Sequence, residues 1–248
     1  MYLTRFIVNP TRREARRMLA SPYRMHAAVS ACFPPSKPTS TEEGRVLWRI
    51  DEGQDRGTFC YIVSPSKPSL VSLDEQIGWP DLAPQWETRD YDSLLAKIDA
   101  GQRYVFRLKA NPVVSRSKAS RDGKSSKRFA HVTTLQMAAW LVGQDIYIDT
   151  GIEAPLFMTD QSSRAERNGF RVERDGKSNQ YMLLVSHVGT QSFERGRGSA
   201  NRITMSTAQY DGVLTVTDAD LFRHALCHGI GHSKGFGCGL MTIVPESR

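Results

Sequence analysis

The chain has 248 residues, 40% of them hydrophobic, enough to fill one large core or two modest ones. No apolar run nears the roughly 20 residues needed to cross a bilayer, and no long apolar leader opens the sequence, so the expectation is a soluble, cytoplasmic protein that makes no membrane contact. The net charge of +7 is concentrated, with six basic side chains against Glu14 in residues 1–30 and nine against Asp122 in residues 101–128, which favours a polyanion such as nucleic acid over a merely solvated face.

Along the chain, Leu3–Val8 alternates as a strand and Asn9-Pro10 ends it. Thr11 and Glu14 have capping-box spacing before a helix over Arg12–Ala20. Ser21-Pro22 restarts the helix, serine as cap and proline in the first turn, and the second piece runs to about Phe33 before Pro34-Pro35. Val46–Ile50 and Thr58–Ser64 read as a hairpin, Leu94–Ile98 as a helix and Gln102–Ala110 as a strand closed by Asn111-Pro112. The order is βαββαβ, the ferredoxin-like unit whose RNA-binding version is the RRM. Phe59 and Tyr61 share one strand face and Cys60 and Ile62 the other, so both faces look apolar, and a free stacking platform of the RRM kind is weakly supported.

The Ser-, Lys- and Arg-rich stretch Val113–Arg128 reads as mobile when unbound and ordered by phosphates. After it come a helix over Thr133–Leu141, strands over Phe170–Glu173 and Tyr181–His187, and a flexible segment Gly189–Arg202 containing Arg195-Gly196-Arg197-Gly198. A strand over Val213–Thr217, Asp218 as N-cap, a helix over Ala219–His228, a glycine loop and a strand over Leu240–Val244 complete a second unit of the same grammar. The expected fold class is α+β, with tandem ferredoxin-like (RRM-like) βαββαβ domains packed side by side. The expected divisions are an N-terminal domain over 1–112, a basic linker over 113–130 and a C-terminal domain over 131–248.

Residues 229–239 hold five glycines in eleven positions. Each gives up extra backbone entropy on ordering, so something requires the bare backbone, either positive φ angles or the close approach of a chain or phosphate. Lys234 in its middle favours the phosphate. A nucleotide P-loop needs Gly-Lys-Ser/Thr between a strand and the helix it opens, and a dinucleotide fingerprint needs the same context. Here the helix precedes the loop and nine residues follow Gly239, so neither fits.

Tyr23 and His26 are three apart on a helix and share a face. Such a pair can move protons at neutral pH, which transphosphorylation at a ribose 2′-OH requires, and Arg24 stands beside it. A surface histidine and a half-buried tyrosine on an ordinary helix have the same spacing. His224, Cys227, His228 and His232 form a rival cluster, conceivable as a zinc site but matching no standard spacing, so no metal is expected. Asp218 and Asp220 are explained by capping rather than Mg²⁺ binding. The four cysteines, Cys32, Cys60, Cys227 and Cys238, have no Cys-x-x-Cys pair and read as buried thiols.

Met1-Tyr2-Leu3-Thr4-Arg5, Asn9-Pro10, Arg16-Arg17, Ser21-Pro22-Tyr23-Arg24-Met25-His26, Leu47-Trp48-Arg49, Phe106 through Pro112 and Gly229-x-Gly231-x5-Gly237-x-Gly239-Leu240 occur in that order. Together they resemble the CasE-type CRISPR repeat endoribonucleases of type I-E systems, members of the RAMP superfamily. The resemblance implies metal-independent cleavage of CRISPR precursor RNA within each repeat, without cofactor, leaving a 5′-hydroxyl and a 2′,3′-cyclic or 3′-phosphate. The family's catalytic histidine falls on His26 and its tyrosine on Tyr23. Arg116, Lys118, Lys124, Lys127 and Arg128 would grip the repeat hairpin, with Arg24 and the glycine loop at Gly231, Lys234 and Gly237 as further RNA contacts. The enzyme would be a monomer when free and would keep its crRNA as a subunit of Cascade beside other subunits. Position 31 is Ala31, so a supporting cation must come from elsewhere than this helix. The competing reading is a non-catalytic RNA-binding scaffold with the same folds.

Overall fold

The computed structural model describes residues 1–53, 57–80, 85–116, 127–153, 163–194 and 202–246. Two compact units emerge, one of Met1–Ile98, Ser192–Ile203 and Arg223–Leu240, the other of Asp99–Gln191, Thr204–Phe222 and Met241–Arg248.

In the first unit, β1 (Tyr2–Val8) turns Thr4, Phe6 and Val8 inward and Arg5 outward, the period-2 alternation of a half-buried strand. Asn9 ends it by accepting hydrogen bonds from both the backbone N–H and the hydroxyl of Thr11. That takes up the Thr11 N–H, which Glu14 would have to accept in the expected capping box, and the box does not form. Helix α1 (Arg13–Leu19) starts after Arg12 with no side-chain cap, and Glu14 pairs with Arg17 instead. The expected restart at Ser21-Pro22 is present as α2 (Pro22–Ser30).

The hairpin β2 (Leu47–Gly53) and β3 (Gly57–Ser64) follows in the register Leu47↔Val63 to Gly53↔Gly57. Helix α3 (Val71–Ile77) buries Leu73 and Ile77, with Leu70 just before it, and β4 (Trp86–Asp90) pairs with β1. The sheet order is β2-β3-β1-β4, antiparallel throughout. Phe6, Val8, Met25, Val29, Trp48, Cys60 and Ile62 share one core with α3's apolar stripe. The outer aromatics of β3 are covered by guanidinium groups, Arg5 over Phe59 at 5.7 Å and Arg49 over Tyr61 at 5.4 Å.

Two sequence expectations are corrected here. The second helix of the first βαββαβ unit is α3, not Leu94–Ile98, where only the single turn α4 (Asp92–Leu95) forms. Its last strand is β4, because β5 (Arg103–Ala110) pairs with strands from the far end of the chain.

The second unit is built on β5. Strands β6 (Val113–Arg116) and β7 (Lys127–Ala130) form a separate two-stranded antiparallel ladder, so the ends of the stretch expected to be mobile are paired. Then come α5 (Thr134–Val142), α6 (Asp145–Thr150), β8 (Phe170–Val172), β9 (Leu183–Glu194), β10 (Arg202–Val216), α7 (Ala219–His228) and β11 (Met241–Pro245). The order β11-β5-β10-β8, with β9 also on β10, repeats that of the first sheet when strands are counted by rank. Phe106, Phe170 and Phe222 pack through its core with tilted rings, at 6.2 and 5.5 Å between centroids. Asp218 caps α7 as expected, its carboxylate accepting from the N–H groups of Asp220 and Leu221 at 3.0 Å.

The expected boundaries at residues 112 and 131 divide the chain differently from these units, since β5 falls in the second and residues 223–240 in the first. Among the described residues, no helix is long and apolar enough to cross a membrane.

Candidate active site

Pro22, Met25 and Val29 form the buried stripe of α2. Tyr23 and His26, off that stripe, are half-buried, and Arg24 is exposed. Ser21 caps the helix, accepting from the Arg24 N–H at 3.5 Å, the long limit of a hydrogen bond. The helix therefore offers one narrow polar face at its N-terminal turns.

The glycine loop belongs to the same unit. It is held by three successive residues of β2. A Cβ at Gly229 would lie 2.8 Å from the Leu47 side chain, and one at Gly237 would lie 2.7 Å from the Trp48 ring, so both sites exclude a side chain. Both also sit at positive φ, +77° and +78°. Arg49, 1% exposed, donates to the Leu240 carbonyl at 3.1 Å while Asp51 holds its other nitrogens at 2.6 and 2.9 Å. Gly231 also has positive φ, and Lys234 Nζ donates to the Gly231 carbonyl at 2.7 Å.

Between these anchors lies a single 3₁₀ turn, Lys234–Phe236. It brings the loop onto α2: a Cβ at Gly235 would lie 3.7 Å from His26 Cε1, and the Phe236 ring meets the imidazole edge-on at 6.4 Å and 67°. Phe193 packs on Phe236 in turn, at 5.0 Å. Beside Tyr23 and Arg24 opens a groove of about 690 Å³, lined also by Phe193, Glu194 and Arg202. Arg24 and Arg202 are exposed, and neither forms an ion pair among the described residues.

The structure thus brings His26, Tyr23, Arg24 and the glycine loop into one unit. Of the expected hairpin-binding residues, Arg116, Lys127 and Arg128 lie on the β6–β7 ladder, where Arg116 pairs with Lys127 and Arg128 with Ser115. Lys118 and Lys124 lie outside the described residues. The basic block of residues 101–128 narrows, because Arg103 pairs with Glu246 at 2.7 Å and Arg107 with Asp211 at 2.6 Å. Phe236, Phe193 and Arg202 are not among the residues the sequence points to. Their signals were a lone aromatic within the glycine run and an Arg-Gly-Arg-Gly run just before Arg202.

His224 and His228 stack at 4.1 Å, with His228 Nε2 3.1 Å from the Glu42 carbonyl. Burial, then the neighbouring His228 and Lys234, holds His224 below its ordinary range. Among the described residues, no three His, Cys, Asp or Glu converge as a metal-ligand set. All four cysteines are buried thiols outside any disulfide, and burial pushes the Cys32 and Cys227 thiols up to about 11.

Residues 1–245 match the family model described as CRISPR associated protein. The chain is 27% identical to the CRISPR-associated endoribonuclease Cse3 of Thermus thermophilus, covering 99% of this chain and 100% of that protein. It is 23% identical to the Cascade subunit CasE of Escherichia coli K12 over the same shares. The structure of Thermus thermophilus Cse3 bound to an RNA representing a pre-cleavage complex matches with a TM-score of 0.68 at 24% identity, covering 98% of both chains. That likeness, with the two repeated strand orders, shows the tandem ferredoxin-like fold.

Proposed function

This chain belongs to the CRISPR associated protein family, and on that premise we propose that it is a CasE-type endoribonuclease that cuts CRISPR precursor RNA within the repeat. The observation that carries the reading is the placement of α2. Tyr23 and Arg24 line a groove with Arg202, while His26, one turn on, is packed against the glycine loop.

The reaction is a transphosphorylation. The ribose 2′-oxygen bonds to the scissile phosphorus, the bond to the 5′-oxygen breaks, and the products are a 2′,3′-cyclic phosphate and a 5′-hydroxyl. One proton leaves the 2′-hydroxyl and one reaches the departing oxygen, and His26 with Tyr23 supplies the groups for that traffic. The crowded phosphate needs positive charge that is in place before reaction. Arg24 and Arg202 answer to that need where Ala31 cannot. The chemistry requires proton transfer and fixed charge, with no metal in any step.

The β6–β7 ladder, with Arg116, Lys127, Arg128 and, beyond the described residues, Lys118 and Lys124, is the proposed grip on the repeat hairpin. After cleavage the enzyme keeps its crRNA as a subunit of Cascade, in keeping with the curated relative named for that role. Incubating the protein with its cognate repeat RNA in EDTA and analysing the product ends tests the reading. Cutting in EDTA with a 5′-hydroxyl and a 2′,3′-cyclic phosphate is expected; uncut RNA, or cutting that needs a divalent ion, would contradict it.

A further inference from the structure

Three large apolar side chains lie in or at the end of the glycine loop. Ile230 and Leu240 are buried at 1% and 0% exposure, but Phe236 stays half-buried. A phenylalanine left partly exposed in a tightly anchored loop forgoes burial. Its surroundings show what it does instead.

Phe236 closes the 3₁₀ turn Lys234–Phe236, and the residues on either side of that turn are both left-handed, Ser233 at φ +59° and Gly237 at φ +78°. For serine this conformation is uncommon, and the surroundings must hold it. The turn cannot slide. Gly237 is pressed on Trp48, Leu240 is tied to the buried Arg49, and Gly229 is pressed on Leu47. With the backbone fixed at both ends, the Phe236 ring is delivered edge-on to His26 and braced from behind by Phe193 at 5.0 Å and 62°. Edge-to-face rings hold a preferred mutual orientation, and a histidine side chain has two free torsions to restrain.

We propose that Phe236 is a positioning residue for His26: the glycine loop is a rigid arm, seated on β2, whose purpose is to set the imidazole's orientation from outside its own helix. This rests on the reading of His26 as the proton-transfer group. It gives the glycine run a second reason beside any contact with RNA, because glycine at 229 and 237 is required for the arm to lie flat on Leu47 and Trp48.

The test is single-turnover cleavage of cognate repeat RNA, with binding of a 2′-deoxy, uncleavable repeat measured in parallel. Phe236→Ala should slow cleavage by about 10- to 100-fold, the scale of a roughly 1 Å misplacement of a reacting group, while affinity stays within about threefold. Phe236→Tyr keeps the ring edge and should restore most of the rate, with Phe236→Leu between the two. In a His26→Ala background, Phe236→Ala should slow the residual cleavage no further, because its effect runs through the imidazole. Phe236→Leu, followed with a thermal unfolding curve, keeps the test informative should the alanine variant fold poorly. An unchanged rate in both Phe236→Ala and Phe236→Leu would overturn the proposal. So would a loss of affinity equal to the loss of rate, which marks Phe236 as an RNA contact, or a further loss in the His26→Ala background. Wild-type cleavage by His26→Ala alone would instead remove the underlying reading.

Discussion

Helices α2 and α5 occupy the same place in the two βαββαβ units, each between the first and second strands of its sheet, yet they bury very different shares of their side chains. In α2 the buried residues Pro22, Met25 and Val29 form one stripe, and Tyr23, Arg24 and His26 stay off it. In α5 every residue from Met137 to Val142 is buried, and Trp140 is pinned between Tyr210 at 5.7 Å and the Arg164 guanidinium at 4.6 Å. The ferredoxin-like scaffold fixes where such a helix sits; the breadth of its apolar face decides whether side chains remain for chemistry. A one-stripe helix can carry a reactive pair, and an all-apolar one is core.

The largest break in this comparison comes from His26→Ala, which should lower the single-turnover rate by about 10²- to 10⁴-fold with the unfolding midpoint and RNA affinity nearly unchanged. Trp140→Ala should do the reverse. Removing a fully buried ring costs about 3–5 kcal/mol of stability, read from denaturant unfolding, while the cleavage rate of folded, RNA-saturated protein stays at the wild-type level.

Acid offers a third contrast. His131, just before α5 and 1% exposed, is held down to about 4, by burial first and by Arg164 second. Because the unfolded chain takes up that proton near pH 6.5, the neutral buried form contributes fully above that pH. Its contribution drains away as pH falls from about 6.5 to about 4, by up to about 3 kcal/mol. Denaturant midpoints across that window should fall in the wild type and much less in His131→Gln. The smallest difference lies in the caps. Thr133 and Gln136 exchange bonds in a full capping box at 3.1 and 3.3 Å, whereas Ser21 holds one bond at 3.5 Å. Thr133→Ala should cost about 1 kcal/mol and Ser21→Ala less, both by thermal unfolding.

How legible each part was in the sequence follows from the range of its causes. Strand β1, the start of α2, the β2–β3 hairpin and α7 with its Asp218 cap are set by alternation, capping and turn residues a few positions apart, and each was readable. The fold class and the family resemblance were readable for the same reason, since the motifs lie in order along the chain. Helix α3 leaves a weak sequence signal because it is seven residues long and follows a segment broken by Pro65 and Pro68. The sheet of strand β5 cannot be read locally, because its partners, β10 and β11, lie near the far end of the chain and leave no local mark. The capping box at Thr11 loses its N–H to a competitor two residues back, the Asn9 side chain.

In the site, Tyr23 and His26 were visible by helical spacing. The seat of the glycine loop was not, because Leu47, Trp48 and Arg49 receive it from a segment remote in sequence. Phe236 could be noticed in the sequence as an oddity among glycines, but only the fold gives it a neighbour in His26.

Single-turnover cleavage of cognate repeat RNA in EDTA, by wild type and by His26→Ala at saturating protein, decides whether α2 carries the chemistry. Rapid cutting by the wild type and a loss of at least about 100-fold in the variant are expected, with both binding the RNA alike. Equal rates for the two proteins, or a variant that loses rate only as far as it loses RNA, would contradict that role for α2.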